Sequence, residues 1–174
     1  MQSSRLEGRI RPLKGYYLIR LHGHTHMGTN PLPSSEFRPE KLVLQLRVTL
    51  AAERNSIDPV VQHVMNMVKE LKCGYGREDA VELALTEALA NAVIHGAKSD
   101  PTKIVECDVA CDESGRLLII VRDPGTGFDP SSLPNPCVGE NIYAQHGRGI
   151  YLINQLMDEV KFHKNGTEIH MVKK

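Results

Sequence analysis

From Leu42 to Leu50 the chain alternates. Leu42, Leu44, Leu46, Val48 and Leu50 fall on one side, with Gln45, Arg47 and Thr49 on the other. A period of two predicts a strand with one face against a core. The period then lengthens. Ser56 or Asp58 is placed to cap a helix with Pro59 in its first turn, and Val60, Val64, Met67, Val68 and Leu71 recur at helical spacing to Lys72, before Gly74. A second helix opens at Glu78 or Asp79 and runs to His95, stopping at Gly96, with Ala84, Leu85, Ala88 and Ala92 on its core face. So many alanines predict close packing against a sheet or a ligand.

Ile104 to Cys111 returns to alternation: Val105, Cys107 and Val109 against Glu106 and Asp108. Asp112-Glu113-Ser114-Gly115 is a hairpin turn. Arg116 to Arg122 holds Leu117 to Val121 without a break, which suits a central strand buried on both faces. Asp129 to His146 is rich in Pro, Ser and Asn and reads as a long loop, of a length that usually has a task. Gly147-Arg148-Gly149 opens a helix with Ile150, Leu152, Ile153, Leu156 and Met157. Val160 to His163 and Thr167 to Val172 form a last hairpin, turned by Lys164-Asn165-Gly166. This order predicts an α+β fold: a two-layer sandwich of a mostly antiparallel mixed sheet with helices on one face. No internal repeat is present.

Residues 1–38 differ from the rest and form an N-terminal extension, with the folded domain at 39–174. The extension carries Arg5, Arg9, Arg11, Lys14 and Arg20 against the single acid Glu7 before Asn30, then a break at Pro31, Pro33, Ser34 and Ser35. Gly15 to Leu21 can make a short strand. His22, His24 and His26 alternate, but no acid or cysteine lies near to complete a metal site, so a solvated or partner-binding arm fits better.

Charge adds an exclusion. Lys+Arg and Asp+Glu are both 21, so no net field draws the chain to nucleic acid or anionic lipid. No apolar run is long enough to span a bilayer, and no signal-peptide core opens the chain, so it reads as cytoplasmic. Cys73, Cys107, Cys111 and Cys137 show no CxxC pair and are expected to be reduced, partly buried thiols.

The polar residues on this apolar scaffold carry the chemistry. Glu87 and Asn91 are four apart on one helical face, with His95 a turn on. A carboxylate and a carboxamide on the inner side of a helix need a hydrogen-bond network, or a ligand with its metal. An amide oxygen suits Mg²⁺, and the carboxylate suits a general base. Asp123 ends the buried strand ahead of Gly125 and Gly127, either as a tight turn or as an acceptor for an exocyclic amine with room for a flat ring. Gly147 and Gly149 flank Arg148 at a helix start, either as a hinge or as a phosphate cradle.

Taken together, Glu87 to Gly96 resembles the N box of the GHKL ATPases, Asp123 to Phe128 their first glycine box, and Gly147 to Ile153 with Met157 to Val160 their second. Gly166-Thr167-Glu168 resembles their closing segment. The likeness covers roughly residues 40–174 and is greatest to the bacterial anti-sigma factor serine/threonine kinases. It implies ATP and Mg²⁺ as cofactors, Glu87 as the catalytic base, and Asn91 as the metal ligand. It implies that Asp123 reads the adenine amine, that Gly125, Gly127, Phe128, Gly147, Arg148, Gly149 and Ile150 shape the pocket, and that Thr167 lies near adenine. Residues 129–146 would be the nucleotide lid. The implied partners are a sigma factor or related transcription regulator, which is sequestered, and an antagonist (anti-anti-sigma) protein phosphorylated on Ser or Thr. A homodimer through the sheet side near the first strand is also implied. Kinase-active members commonly carry an arginine just before the second glycine box. Here Asp129 to His146 holds no Lys or Arg, and Gln145 and His146 stand in that place. An ATP-binding, partner-sequestering module with little or no kinase activity is therefore the alternative. A histidine kinase catalytic domain fits less well, for want of a preceding dimerisation helix pair with a phosphoacceptor histidine.

Overall fold

The computed structural model describes residues 41–129 and 148–174. The expectations for residues 1–38, for Cys137, for the 130–146 part of the lid and for Gly147 lie outside the described residues. In chain order the elements are β1 (Leu42–Ala51), α1 (Ile57–Glu70), α2 (Glu78–Asn91), β2 (Ile104–Asp112), β3 (Leu117–Arg122), α3 (Arg148–Leu156), β4 (Glu159–His163) and β5 (Glu168–Lys173). A 3₁₀ turn, Arg54–Ser56, leads into α1, and a π-turn, Ala92–Gly96, closes α2.

The strands form one sheet in the order β1-β2-β3-β5-β4. All four pairings are antiparallel, so the described sheet is not mixed. Leu44, Leu46, Val48 and Leu50 of β1, Val105, Cys107 and Val109 of β2, and Leu117, Ile119 and Val121 of β3 face the helices in one core. Against them α1 packs Val60, Val61, Val64 and Val68, α2 packs Val81, Ala84, Leu85 and Leu89, and α3 packs Ile153. Most of these positions were read from period, because the helical and strand stripes meet on a single plane; Val61, Val81 and Leu89 were not among them, Leu71 is exposed at the end of α1, and Leu42 packs against the cluster on the other face of the sheet instead of the core.

The turns follow their chemistry. Asp112 Oδ1 accepts from the Ser114 and Arg116 amides in the β2–β3 hairpin, and Gly115 takes φ +84°. Lys164, Asn165 and Gly166 all have positive φ, which makes the β4–β5 turn tight. At the other end of the molecule the chain leaves α1 through Lys72 (φ 56°) and Gly74 (φ 60°), and the Gly74 N–H donates to Gly115 O at 2.7 Å.

That contact corrects the reading of the cysteines. Cys73 and Cys111 are joined by a disulfide, with Cα atoms 6.0 Å apart, while Cys107 is a free, buried thiol. Nothing local announces the pair, 38 residues apart in sequence; it exists because the α1–α2 connection folds back onto the β2–β3 hairpin. Burial pushes the Cys107 thiol up to about 12. A second finding concerns β2 and β5. Alternation set Asp108 on the face away from Val105, Cys107 and Val109 without saying whether that face is dry, and Asp108, Glu168 and His170 are buried there. Arg122 bridges Asp108 and Glu168 at 2.5 and 2.6 Å, Arg47 adds a second pair to Asp108, and His170 Nε2 lies 2.6 Å from Glu168 Oε1. Buried charge is tolerable here because each group has a partner.

Candidate nucleotide site

Helix α2 commits its Val81, Ala84, Leu85, Ala88 and Leu89 stripe to the core. Glu87 and Asn91 therefore emerge together on the neighbouring face, half-buried. They meet the start of α3. A Cβ at Gly149, the second residue of α3, would stand 2.7 Å from Glu87 Oε2 and 3.2 Å from Asn91 Nδ2. Only a residue without a side chain lets the amide-bearing end of α3 come this close to the carboxylate and carboxamide. Arg148 and Ile150 flank Gly149 in the same turn.

One turn beyond Asn91 the helix widens. The Ala97 N–H donates to Ala92 O at 2.8 Å, the i to i−5 bond of a π-turn, a form often met at functional sites. The wider turn lays Gly96 flat on Asp123: a Cβ at position 96 would overlap the Asp123 Cγ and Oδ1. Asp123 is further held by its N–H donating to Thr167 O at 3.0 Å, and by its Oδ1 accepting from the Gly125 N–H at 2.8 Å. A Cβ at Gly125 would in turn stand 2.5 Å from Gly96 O. Burial raises the Asp123 carboxyl above the ordinary 3.8, and the Gly125 amide offsets part of that rise.

The rest of the first glycine segment rests on the β4–β5 turn. Gly127 has φ +79°, and a Cβ there would strike Asn165 O, the atom that accepts from the Phe128 N–H at 2.9 Å. Asn165 Nδ2 donates back to Thr126 O at 3.3 Å. Gly166 packs against Phe128, whose ring meets Phe162 edge-on at 5.7 Å. Thr167 Oγ1 donates to Lys164 O at 2.8 Å. The predicted residues thus fall into three contact groups: Glu87, Asn91 and Gly149; Asp123 and Gly125, joined by Gly96; and Gly127 and Phe128, against the turn before Thr167. The short path from Asn91 to Gly96, and from Gly125 to Gly127, ties them into one end of the sandwich.

The histidine kinase-like ATPase domain family profile matches residues 50–173. The chain belongs to this family. Relatives of this ATPase domain include an anti-sigma F factor of Bacillus cytotoxicus, 28% identical over 132 residues, covering 73% of this chain and 80% of that protein. A serine-protein kinase RsbW of Bacillus licheniformis is 37% identical over 114 residues, covering 59% of this chain and 69% of that protein. An anti-sigma F factor of Clostridium acetobutylicum is 27% identical over 133 residues, covering 74% and 82%.

Two residues of this ATPase domain were undervalued in the sequence. Gly96 was read as a helix stop, whereas it also forms the surface under Asp123. Asn165 was read as a turn residue, whereas its carbonyl and amide clasp the first glycine segment. The Asn165-Gly166 pair was the available signal, since it demands a turn tight enough to present its backbone. His95 is exposed, beside the site but outside the three contact groups. Among the described residues no helix is long and apolar enough to cross a membrane, and no group of three His, Cys, Asp or Glu is arranged to hold a metal.

Proposed function

We propose that this chain binds ATP with Mg²⁺ at the end of the sandwich where α2, α3 and the β3–β5 strand ends meet. It transfers the terminal phosphoryl group to a Ser or Thr of an antagonist protein and sequesters a sigma factor or related transcription regulator in the cytoplasm. The observation that carries this reading is the contact of Glu87 and Asn91 with Gly149 at the start of α3. It joins a base, a hard amide oxygen and a helix N-terminus, which are the parts a phosphoryl transfer needs. Relatives named as a serine-protein kinase and as anti-sigma factors support the same reading.

In this reading the α3 amides receive phosphate oxygens, with Arg148 beside them. Glu87 accepts the proton of the attacking hydroxyl. The Asn91 amide oxygen is the donor that fits Mg²⁺, an ion that takes few protein ligands and the rest from phosphate and water. When bound, the ion would neutralise charge on the phosphates. Asp123 keeps Oδ1 on the Gly125 N–H, so Oδ2 is left to accept from the adenine amine. Gly125, Gly127, Phe128, Ile150 and Thr167 line the ring.

One observation favours a second reading, a nucleotide-gated sequestering module. Asp129 to His146 holds no Lys or Arg to meet the transferred phosphoryl group, and electrostatic stabilisation there is most of kinase catalysis. Incubation with γ-labelled ATP, Mg²⁺ and candidate antagonist proteins separates the two. The kinase reading expects label on the antagonist that vanishes in Glu87→Ala while ATP binding persists. Label surviving that change removes Glu87 as the base, and ATP binding with no label in the wild type leaves the sequestering module. Pairing of two copies belongs to the same proposal and is read by light scattering.

A further inference from the structure

Lys173 is a buried cation that the proposed nucleotide chemistry does not use. It closes β5 and is 8% exposed. An ammonium is seldom buried unless acceptors surround it. Its Nζ donates to Leu156 O at 2.9 Å and to Asp158 Oδ1 at 3.0 Å. Leu156 is the last residue of α3, so the first of these bonds caps the carbonyl end of that helix, where the dipole also favours a positive charge. Asp158 is itself held fast: its N–H donates to Val172 O at 2.9 Å, and its Oδ2 accepts from the Lys174 N–H at 2.6 Å. The stem of Lys173 runs beside the α1–α2 connection. A Cβ at Gly74 would stand 3.8 Å from Lys173 Cγ and 4.0 Å from Leu117 Cδ2. One side chain thus touches the end of α3 and the connection that leads into α2.

We propose that Lys173 is a positioning residue: it sets the lie of α3 so that the first turn of that helix meets Glu87 and Asn91. The inference rests on the reading of that turn as the phosphate cradle. Gly149 lies about 10 Å along the helix axis from Leu156, so a tilt at the capped end is carried to the cradle. Ile153 and Met157 root the underside of α3 in the core. Apolar contact is non-directional; it keeps the helix down but lets it rock. A hydrogen bond to a carbonyl, backed by a fixed carboxylate, has a direction. Asp158 lies just past Leu156, so the chain leaving α3 is gripped at the same point. The stem beside Gly74 refers that grip to the start of α2, the helix that carries Glu87 and Asn91. Both sides of the contact at the site are therefore aligned from their far ends. The contact leaves little tolerance, since even a methyl at Gly149 would crowd Glu87 Oε2.

The test uses Lys173→Met and Asp158→Asn in the full chain. Asp158 has a side chain 37% exposed, so its variant loosens the same grip even where Lys173→Met does not fold. Two readouts are taken. The first is binding of ATP with Mg²⁺ and of adenosine, which has no phosphate. In Lys173→Met the Kd for ATP should rise about 10-fold while that for adenosine moves less than about twofold, and Asp158→Asn should show the same split at smaller size. The second is the amide spectrum of the protein without nucleotide. The Gly149 N–H and the Asn91 side-chain amide should shift in both variants. Shifts confined to residues 156–158 and 172–174 would make Lys173 a local cap and overturn the proposal, as would equal losses for ATP and adenosine. A wild type that binds no ATP overturns the nucleotide reading and this inference with it. Variants that bind ATP as the wild type does overturn this inference alone.

Discussion

Gly96→Ala tests whether Asp123 works as a recognition group set by its surroundings. Gly96 has an ordinary backbone conformation, so alanine fits the chain there; the penalty comes only from the added methyl, which would occupy the space of the Asp123 Cγ and Oδ1. Asp123 cannot yield by bending a flexible tip. Its main chain is pinned to Thr167 O at 3.0 Å and its Oδ1 to the Gly125 N–H at 2.8 Å. The carboxylate must rotate and give up that charge-assisted bond, worth about 1.5–3 kcal/mol. Residual overpacking adds ~1–3 kcal/mol against the fold. A ligand that needs Asp123 in place then loses roughly 1.4–2.8 kcal/mol, a 10- to 100-fold rise in Kd. Titration calorimetry with ATP and with the inosine analogue, whose base lacks the amine, reads this directly. The wild type should prefer ATP, and Gly96→Ala should erase the preference with a fall in Tm of roughly 5–20 °C. A variant that keeps ATP affinity within about threefold, and keeps the preference, refutes the reasoning.

Three further outcomes follow from the geometry. Gly149→Ala drives a methyl to 2.7 Å from Glu87 Oε2, so it should part α3 from α2 and weaken binding of the nucleotide triphosphate more than that of adenosine, as competition binding will show. The disulfide closes a loop of 38 residues, for which chain entropy gives ~4 kcal/mol; Cys73→Ser, or reduction of the wild type, should lower Tm by roughly 8–15 °C, and a calorimetric scan that finds no change refutes the bond. Glu168 is pushed up by burial but held down more strongly by Lys164, His170 and Arg122, so its carboxyl falls from 4.5 to about 2. Between those values the unfolded chain binds the proton and the folded one does not. The Glu168 contribution is therefore full above about pH 5 and drains as pH falls towards 2, by as much as ~3 kcal/mol in denaturant titrations. Glu168→Gln should flatten that dependence. Burial lowers His170 as well, although Glu168 opposes it, so its protonation on acidification acts in the same direction.

What the sequence disclosed and what it withheld divide by range. The β1 alternation, the α2 face bearing Glu87 and Asn91, and the Asp112–Gly115 turn were legible because neighbours a few residues apart decide them. The disulfide was not legible, because Cys73 and Cys111 meet only when the end of α1 returns to the hairpin. Nor was the π-turn, since one widened turn leaves the period of α2 intact and shows itself only in the Ala97 to Ala92 bond. The burial of Asp108, Glu168 and His170 escaped for a different reason. Alternation tells which side a residue is on but not whether that side is dry, and the partners Arg47 and Arg122 come from strands on either side. Around the site, each glycine was visible as a residue type, but the atom it makes room for was not.

Asp123 and Thr167 ride on neighbouring strands whose pairing runs unbroken from Leu117–Lys173 to Arg122–Glu168. The sheet acts as a ruler between the acid and the threonine, with Lys164 to Gly166 as its end stop. Inserting one residue into that turn would slide Thr167 out of step with Asp123 and turn alternate side chains to the wrong face. Lengthening residues 130–147 moves neither mark. Homologous chains that retain the pocket should accordingly vary freely in length between the two glycine segments and hardly at all between β4 and β5.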